Sequence, residues 1–247
     1  MRATVIIPAR YCSIRFPGKP LALLAGKPMI QWVYERTQMA EGIEEVIVAT
    51  DDERIYRAVE GFGGTVRMTA PGHETGTDRI AEVAQELSAE IIVNVQGDEP
   101  MVRPDMIEAA LQPLKEDSSL VMGTLKAPLA SLEEMNSSHV VKVVVNRQDF
   151  ALYFSRAPIP YDRDGNKRVL NRLPTAGCFK HLGLYVYRRD FLLEFAQLSS
   201  TPLEKQEKLE QLRALEHGYR IKVVTTEHMG LGVDTPEDLE RVARSLS

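Results

Sequence analysis

Cysteine is nearly missing from this chain: Cys12 and Cys178 are the only two in 247 residues. They lie far apart with no CxxC or Cys/His spacing, which excludes a disulfide framework and a structural zinc site. Long apolar runs are missing too. The runs near Val5, Val46, Ile91 and Val141 are short and bounded by polar residues, well under the ~20 apolar residues a membrane-spanning helix needs, so no membrane insertion is expected. Thr4 to Pro8 ends in Pro-Ala-Arg rather than in a signal-peptide layout, and the expectation is a cytoplasmic protein. There is no GxxxxGK followed by Ser or Thr, no GxGxxG, no HExxH and no GxSxG. The usual P-loop, dinucleotide-binding, zincin and α/β-hydrolase signatures are therefore excluded.

What is present is ordinary globular material, 44% hydrophobic and 26% charged. The length suits one large domain, or one domain with an elaborated lobe. The net charge of −5 disfavours wholesale nucleic-acid binding. Its distribution says more than its sum. The first 34 residues carry Arg2, Arg10, Arg15, Lys19 and Lys27 and no Asp or Glu, which predicts an anion site near the N-terminus. A second bias lies between Ala151 and Arg189, where eight basic residues face only Asp162 and Asp164; a solvated face or an interface explains it as readily as a ligand site.

Short β-branched runs at Thr4–Pro8, Glu45–Ala49, Thr65–Met68 and Ile91–Val95 alternate with helical patterns at Met29–Met39, Asp52–Phe62 and Asp78–Leu87. That alternation predicts a parallel sheet covered by helices on both faces. In such sheets ligands sit beyond the carboxyl ends of the strands, so Ala9 to Pro20, Asp51 and Gln96-Gly97-Asp98 are expected to border one cleft. Leu120–Leu125, Val140–Val145, Ala151–Ser155 and Leu182–Tyr187 are strand-like with few helical windows between them, which predicts antiparallel additions. Pro158 to Lys180 is long enough to form an arm or lid. Thr201-Pro202-Leu203-Glu204 and Thr235-Pro236-Glu237-Asp238 each read as a helix start, with Thr as cap, Pro next and an acid three residues after the Thr.

The loop Pro8-Ala9-Arg10-Tyr11-Cys12-Ser13-Ile14-Arg15-Phe16-Pro17-Gly18-Lys19-Pro20-Leu21 follows the first strand directly. Its Pro and Gly residues shape a backbone able to turn N–H groups to a ligand. A polyphosphate suits it, with Arg15 forking onto two oxygens and Lys19 supplying a point charge.

That loop, with GKPMI at Gly26–Ile30, resembles the nucleotide-binding signature of nucleotidyltransferases that activate sugars. Further motifs narrow the likeness: ATDDERI (Ala49–Ile55), HETGTDRIAEV (His73–Val83), VNVQGDEP (Val93–Pro100), ALYFSRAPIP (Ala151–Pro160), KHLGLYVY (Lys180–Tyr187), LEQLRALEHGYRI (Leu209–Ile221) and GVDTPEDLERV (Gly232–Val242). In this order, over nearly the whole chain, they resemble the cytidylyltransferases that act on the acid sugar 3-deoxy-manno-octulosonate (Kdo). The resemblance implies one three-layer, Rossmann-like nucleotidyltransferase domain over residues 1–247. It also implies a mainly parallel sheet and an inserted antiparallel dimerisation lobe at about 120–187, so a homodimer.

The implied reaction turns CTP and Kdo into CMP-Kdo and pyrophosphate with Mg²⁺, for lipopolysaccharide biosynthesis. By the same resemblance Arg15 and Lys19 hold the β- and γ-phosphates, and Asp98 and Asp234 ligate the metal. Mg²⁺ commonly takes one or two carboxylates with waters and phosphate oxygens, which is consistent with that pair. Ala9, Arg10 and Ser13 are implied beside the nucleotide, with Thr75, Gly76 and Arg79 at the cytidine. Thr75 stands where Ser is more usual and keeps the hydroxyl. Gln96, Arg156, His181, Tyr185, Glu210 and Gln211 are implied for Kdo.

Taken singly, the residues have plainer readings. Asp98 suits a strand-exit turn, Asp234 a helix start, Tyr185 and His181 a packed core, and Glu210 with Gln211 the solvated side of a helix whose Leu209, Leu212 and Leu215 face inward. Rival functions are a cytidylyltransferase for 8-amino-Kdo or sialic acid, a glycosyltransferase using Asp162-Arg163-Asp164 as a DxD pair, and a nucleotide-sensing protein with a dead site.

Overall fold

The computed structural model describes residues 2–12, 16–163, 177–228 and 232–245. Among them a nine-stranded sheet dominates. Its main path runs β11 (Ile221–Thr225), β7 (Met122–Pro128), β10 (Phe179–Arg188), β6 (Ile91–Asn94), β1 (Ala3–Ala9), β4 (Glu45–Thr50), β5 (Thr65–Met68). β1 pairs in parallel with β4 and β6, β4 with β5, and β11 with β7, while β10 runs antiparallel to both its neighbours. A separate two-stranded ribbon joins β2 (Leu23–Leu24) to β3 (Lys27–Pro28).

The near-continuous apolar runs of β1 and β6 follow from burial on both faces. Alternation sorts their side chains. Val5, Ile7, Ile91 and Val93 pack with Ile30 and Val33 of α1 (Met29–Gln38), Ile55 and Val59 of α2 (Glu53–Gly61), and Ile107, Leu111 and Leu114 of α4 (Pro104–Glu116). Ile6 and Ile92 pack on the opposite face with Ile80 and Ala84 of α3 (Gly76–Gln85) and with Phe191, Leu192 and Phe195 of a later helix, α6 (Arg189–Phe195). Two cores flank one sheet, which makes three layers.

Residues 120–187 divide into two parts. β7 and β10 complete the main sheet itself, β7 being almost wholly buried. β8 (Lys142–Val145) and β9 (Ala151–Ser155) form an antiparallel pair that branches from β10, and a short helix, α5 (Leu132–Asn136), caps on the Ser131 hydroxyl. The branch holds a buried ammonium: Lys142 Nζ donates to the carbonyls of Ser137, Val140 and Arg156 at 2.6–2.7 Å. Most of the arm expected over Pro158–Lys180, from residue 164 to 176 and so including Asp164, lies outside the described residues.

The remaining helices are α6 (Arg189–Phe195), α7 (Pro202–Glu207), α8 (Gln211–Glu216) and α9 (Pro236–Ser245). Both helix starts read from the sequence are present. The Thr201 N–H donates to Glu204 Oε2 (3.1 Å). At α9 the exchange is reciprocal, Thr235 N–H to Asp238 Oδ2 (3.0 Å) and Asp238 N–H to Thr235 Oγ1 (3.2 Å). None of the helices among the described residues is long and apolar enough to cross a membrane.

Candidate functional site

From β1 the chain passes to β4 and β5 on one side and to β6 on the other, so the strand order reverses between β1 and β6. At the carboxyl ends of those two strands lies a cavity of about 260 Å³ lined by Pro8, Ala9, Arg10, Lys19, Pro20, His73, Thr75, Gly76, Arg79, Gln96, Gly97, Asp98 and Asp234. Nine of the residues implied for nucleotide, sugar or metal are in this lining. Ser13 and Arg15 lie outside the described residues. Asp51, expected at the rim, instead accepts from Arg79 Nη2 (2.9 Å), while Arg79 Nη1 donates to Thr69 Oγ1 (2.5 Å). Arg79 is 4% exposed, and its guanidinium ties α3 to the ends of β4 and β5.

The cleft is built by close backbone approach. A Cβ on Gly97 would stand 2.9 Å from the Pro8 carbonyl oxygen, so a side chain there would push the two strand exits apart. A Cβ on Gly76 would meet the Pro8 ring at 3.2 Å. Thr75 caps α3, its Oγ1 accepting from the Asp78 N–H (3.1 Å) while its own N–H donates to Asp78 Oδ2 (3.2 Å). The first turn of α3 is thereby held facing the cavity.

At the mouth Lys19 joins three segments. Its Nζ donates to Asp98 Oδ2 (2.6 Å), to the Val233 carbonyl (2.9 Å) and to Asp234 Oδ1 (3.4 Å). The Val233 N–H donates in turn to the Asp98 carbonyl (2.9 Å). Two carboxylates from distant parts of the chain thus aim at one cationic centre. That donor set, hard oxygens converging on a point, fits a hydrated Mg²⁺. Among the described residues no three His, Cys, Asp or Glu side chains converge as a metal cage, so a Mg²⁺ ion here would draw its other ligands from phosphate oxygens and water.

A second polar cluster adjoins the cavity behind Thr75 and Gln96. Gln96 Nε2 donates to Asn94 Oδ1 (3.0 Å), and Asn94 lies opposite Tyr185 across the β6–β10 pair. His181 Nε2 and Thr124 Oγ1 are hydrogen-bonded at 2.9 Å, and the imidazole lies edge-on to Phe154 and 5.4 Å from the Tyr185 ring. Burial pushes His181 down to about 3, so the ring is neutral. Burial and the Glu210 charge raise the Tyr185 phenol, which stays protonated. Glu210 Oε2 accepts from Thr77 Oγ1 (2.5 Å), and burial raises the Glu210 carboxyl. Glu210 Oε1 and Gln211 Nε2 are buried polar atoms without a hydrogen bond. Gln211 is 3% exposed, so neither residue has the solvated position that its amphipathic pattern suggests. Glu210 Oε1 has the Arg213 guanidinium 3.6 Å away, but buried polar atoms without a hydrogen bond are costly, and a bound polyol would supply partners to both.

Arg156 does not join this cluster. Its guanidinium donates to the carbonyls of Glu207 (2.8 Å), Ser138 (2.9 Å) and Lys208 (3.4 Å), tying the end of β9 to the end of α7.

Residues 4–221 match the cytidylyltransferase family. The 3-deoxy-manno-octulosonate cytidylyltransferase of Geobacter sulfurreducens is 58% identical over 249 residues, with both chains covered in full. That of Syntrophotalea carbinolica is 59% identical over 247 residues, covering 100% of this chain and 99% of the relative. The chain belongs to the cytidylyltransferase family. Among solved structures, a CMP:2-keto-3-deoxy-manno-octonic acid synthetase complexed with CTP superposes with a TM-score of 0.93 at 46% identity, covering 100% of this chain and 98% of the other. A 4-diphosphocytidyl-2C-methyl-D-erythritol synthase, at a TM-score of 0.66 and 14% identity, shares the fold.

In this cytidylyltransferase two features of the cleft escape sequence reading. Glu99 stands beside the two aspartates, and burial together with repulsion from Asp98 and Asp234, opposed by Lys19, raises its carboxyl to about 8. His73 lines the cavity and is hydrogen-bonded to Glu82, which also accepts from the Ala70 N–H (3.1 Å). Both residues sit inside quoted motifs, but only the folded chain turns them to the site.

Proposed function

We propose that this protein activates Kdo as its CMP ester: CTP and 3-deoxy-manno-octulosonate give CMP-Kdo and pyrophosphate. The observation that carries the reading is the convergence of Lys19, Asp98 and Asp234 at the mouth of a cavity beyond the carboxyl ends of β1 and β6. In this reaction the anomeric oxygen of the sugar bonds to the α-phosphorus as the bond to the β-phosphate oxygen breaks, in line. The protein contributes positioning and charge neutralisation more than covalent chemistry. Ala9, Arg10, Ser13, Thr75, Gly76 and Arg79 surround the nucleotide, and Arg15 and Lys19 take the β- and γ-phosphates that leave. Asp98 and Asp234 hold Mg²⁺, which when bound offsets charge on the phosphate oxygens. Gln96, His181, Tyr185 and Gln211 meet the hydroxyls of the sugar with neutral donors and acceptors, and Glu210 meets them with its carboxyl. Arg156 supports their floor through α7, and its guanidinium must leave the carbonyls it holds to reach a carboxylate.

Two further parts of the proposal concern setting. The protein acts in the cytoplasm in lipopolysaccharide biosynthesis, and it works as a homodimer through the β8–β9 branch. In support of the homodimer, Leu152 of β9 is 61% exposed on a strand that pairs, among the described residues, only with β8. Light scattering of the purified protein checks the dimer.

The deciding experiment is pyrophosphate release with Mg²⁺, testing CTP, UTP and ATP each against Kdo, 8-amino-Kdo and sialic acid. Turnover with CTP and Kdo alone is expected. Preference for 8-amino-Kdo would move the substrate assignment, and silence with every acid sugar would overturn it.

A further inference from the structure

The ring of Tyr11, which opens the Arg10–Lys19 loop, packs against the main core and carries the Arg54 guanidinium on its outer face, with Arg54 Cζ 3.3 Å from the ring centroid. Arg54 is not free to wander. Its Nε and Nη2 grip Asp52 Oδ1 (2.9 Å) and Oδ2 (2.6 Å), a two-pronged pair at the N-terminus of α2, where Asp52 is the cap. At the other end of the loop the Gly18 N–H donates to the Tyr11 carbonyl (2.9 Å), closing the neck. Gly18 has φ +71°, and a Cβ on it would stand 3.1 Å from Cε2, Cζ and Oη of the Tyr11 ring. Tyr11 is thus pressed between Gly18 and the core while Arg54 covers it. The residues flanking this neck are Arg10 and Lys19, both in the cavity lining.

We propose that Arg54, clamped by Asp52 and stacked on Tyr11, is a positioning residue that fixes the neck of the nucleotide loop and so holds Arg10 and Lys19 at the cleft for the triphosphate. The inference rests on reading this loop as the CTP loop. Arg54 touches no reacting atom; it acts through Tyr11. A flat guanidinium stacks where an ammonium cannot, so Lys is no substitute for it. Asp52 keeps its capping bond from the Arg54 backbone N–H (2.9 Å) in any Arg54 variant, so α2 survives the change.

The test uses full-length Arg54→Met, Arg54→Lys, Tyr11→Leu and Tyr11→Phe, with CTP binding measured by calorimetry and amide exchange measured over residues 10–21 without nucleotide. Arg54→Met and Tyr11→Leu are expected to weaken CTP by about three- to tenfold and to speed exchange in the loop. The KM for Kdo and the Arg54→Met melting temperature should stay at wild-type values. Tyr11→Phe keeps the stack and should behave as wild type, while Arg54→Lys falls with Arg54→Met. The double variant Tyr11→Leu/Arg54→Met should lose no more than the worse single one. Wild-type CTP affinity and loop exchange in Arg54→Met would overturn the proposal. A wild-type protein that fails to bind CTP would bring down the nucleotide reading instead, and the exchange measurement would still decide whether Arg54 anchors the loop.

Discussion

Lys19 Nζ stands 2.6 Å from Asp98 Oδ2 and 3.4 Å from Asp234 Oδ1, so one ammonium ties two carboxylates from distant parts of the chain. The same two carboxylates are those that would hold a divalent cation. Asp98→Asn and Asp234→Asn are therefore expected to lower kcat by roughly a hundredfold or more, with the circular dichroism spectrum and melting temperature little changed. Lys19→Ala is expected to raise the KM for CTP. A folded Asp98→Asn enzyme with near-normal turnover would remove that residue from the mechanism.

Gly97 has its missing Cβ 2.9 Å from a backbone oxygen, which cannot swing aside as a side chain can. Gly97→Ala should cost about 1–3 kcal/mol of stability and weaken CTP binding, because the exits of β1 and β6 form the cavity floor. Urea denaturation together with CTP calorimetry reads both effects.

Arg213 and Glu204 form a buried two-pronged pair, Nε to Oε2 at 3.0 Å and Nη2 to Oε1 at 2.5 Å, with side chains 8% and 12% exposed. Glu204→Ala strands a buried guanidinium and should cost about 3–5 kcal/mol. Replacing both partners with apolar residues, Glu204→Leu with Arg213→Met, should recover much of that loss. Because Arg213 Nη2 also lies 3.6 Å from Glu210 Oε1, Glu204→Ala is further expected to raise the KM for Kdo.

His181 has a folded-state pKa of about 3 against an ordinary value of 6.5. Between those values the unfolded chain binds a proton that the folded protein does not. Stability should therefore fall as pH drops from about 6.5 toward 3, at about 1.4 kcal/mol per pH unit for this one group. His181→Phe should flatten that slope by one proton's worth, whatever it does to stability at pH 8. The His181 ring carbon protons should show no NMR titration between pH 8 and pH 5; a midpoint inside that range would contradict the burial argument.

Local chemistry made much of the protein legible. The strands read at Thr4–Pro8, Glu45–Ala49, Thr65–Met68 and Ile91–Val95 are present to within a residue or two, because β-branched runs between turn residues have few alternatives. The Thr-Pro-x-acid starts of α7 and α9 are capped as their spacing requires. The missing acids of the first 34 residues pointed to a loop that does border the cavity through Arg10 and Lys19.

Other features depend on what the chain meets after folding. The antiparallel strands expected within residues 120–187 are present, but the places of β7 and β10 in the main sheet come from pairing partners dozens of residues away, which no local pattern encodes. The helix that Glu210 caps reads as amphipathic, yet Gln211 in its first turn is buried and Glu210 is bonded to Thr77, since what counts as its outer face depends on the neighbour that covers it. The identity of the loop, the caps and the strands was set by the sequence alone through propensity and spacing. The meeting of Lys19, Asp98 and Asp234, the elevated carboxyl of Glu99 and the turning of Arg156 toward backbone carbonyls were decided only by tertiary structure, because charge and burial act through distance in space and not through distance along the chain.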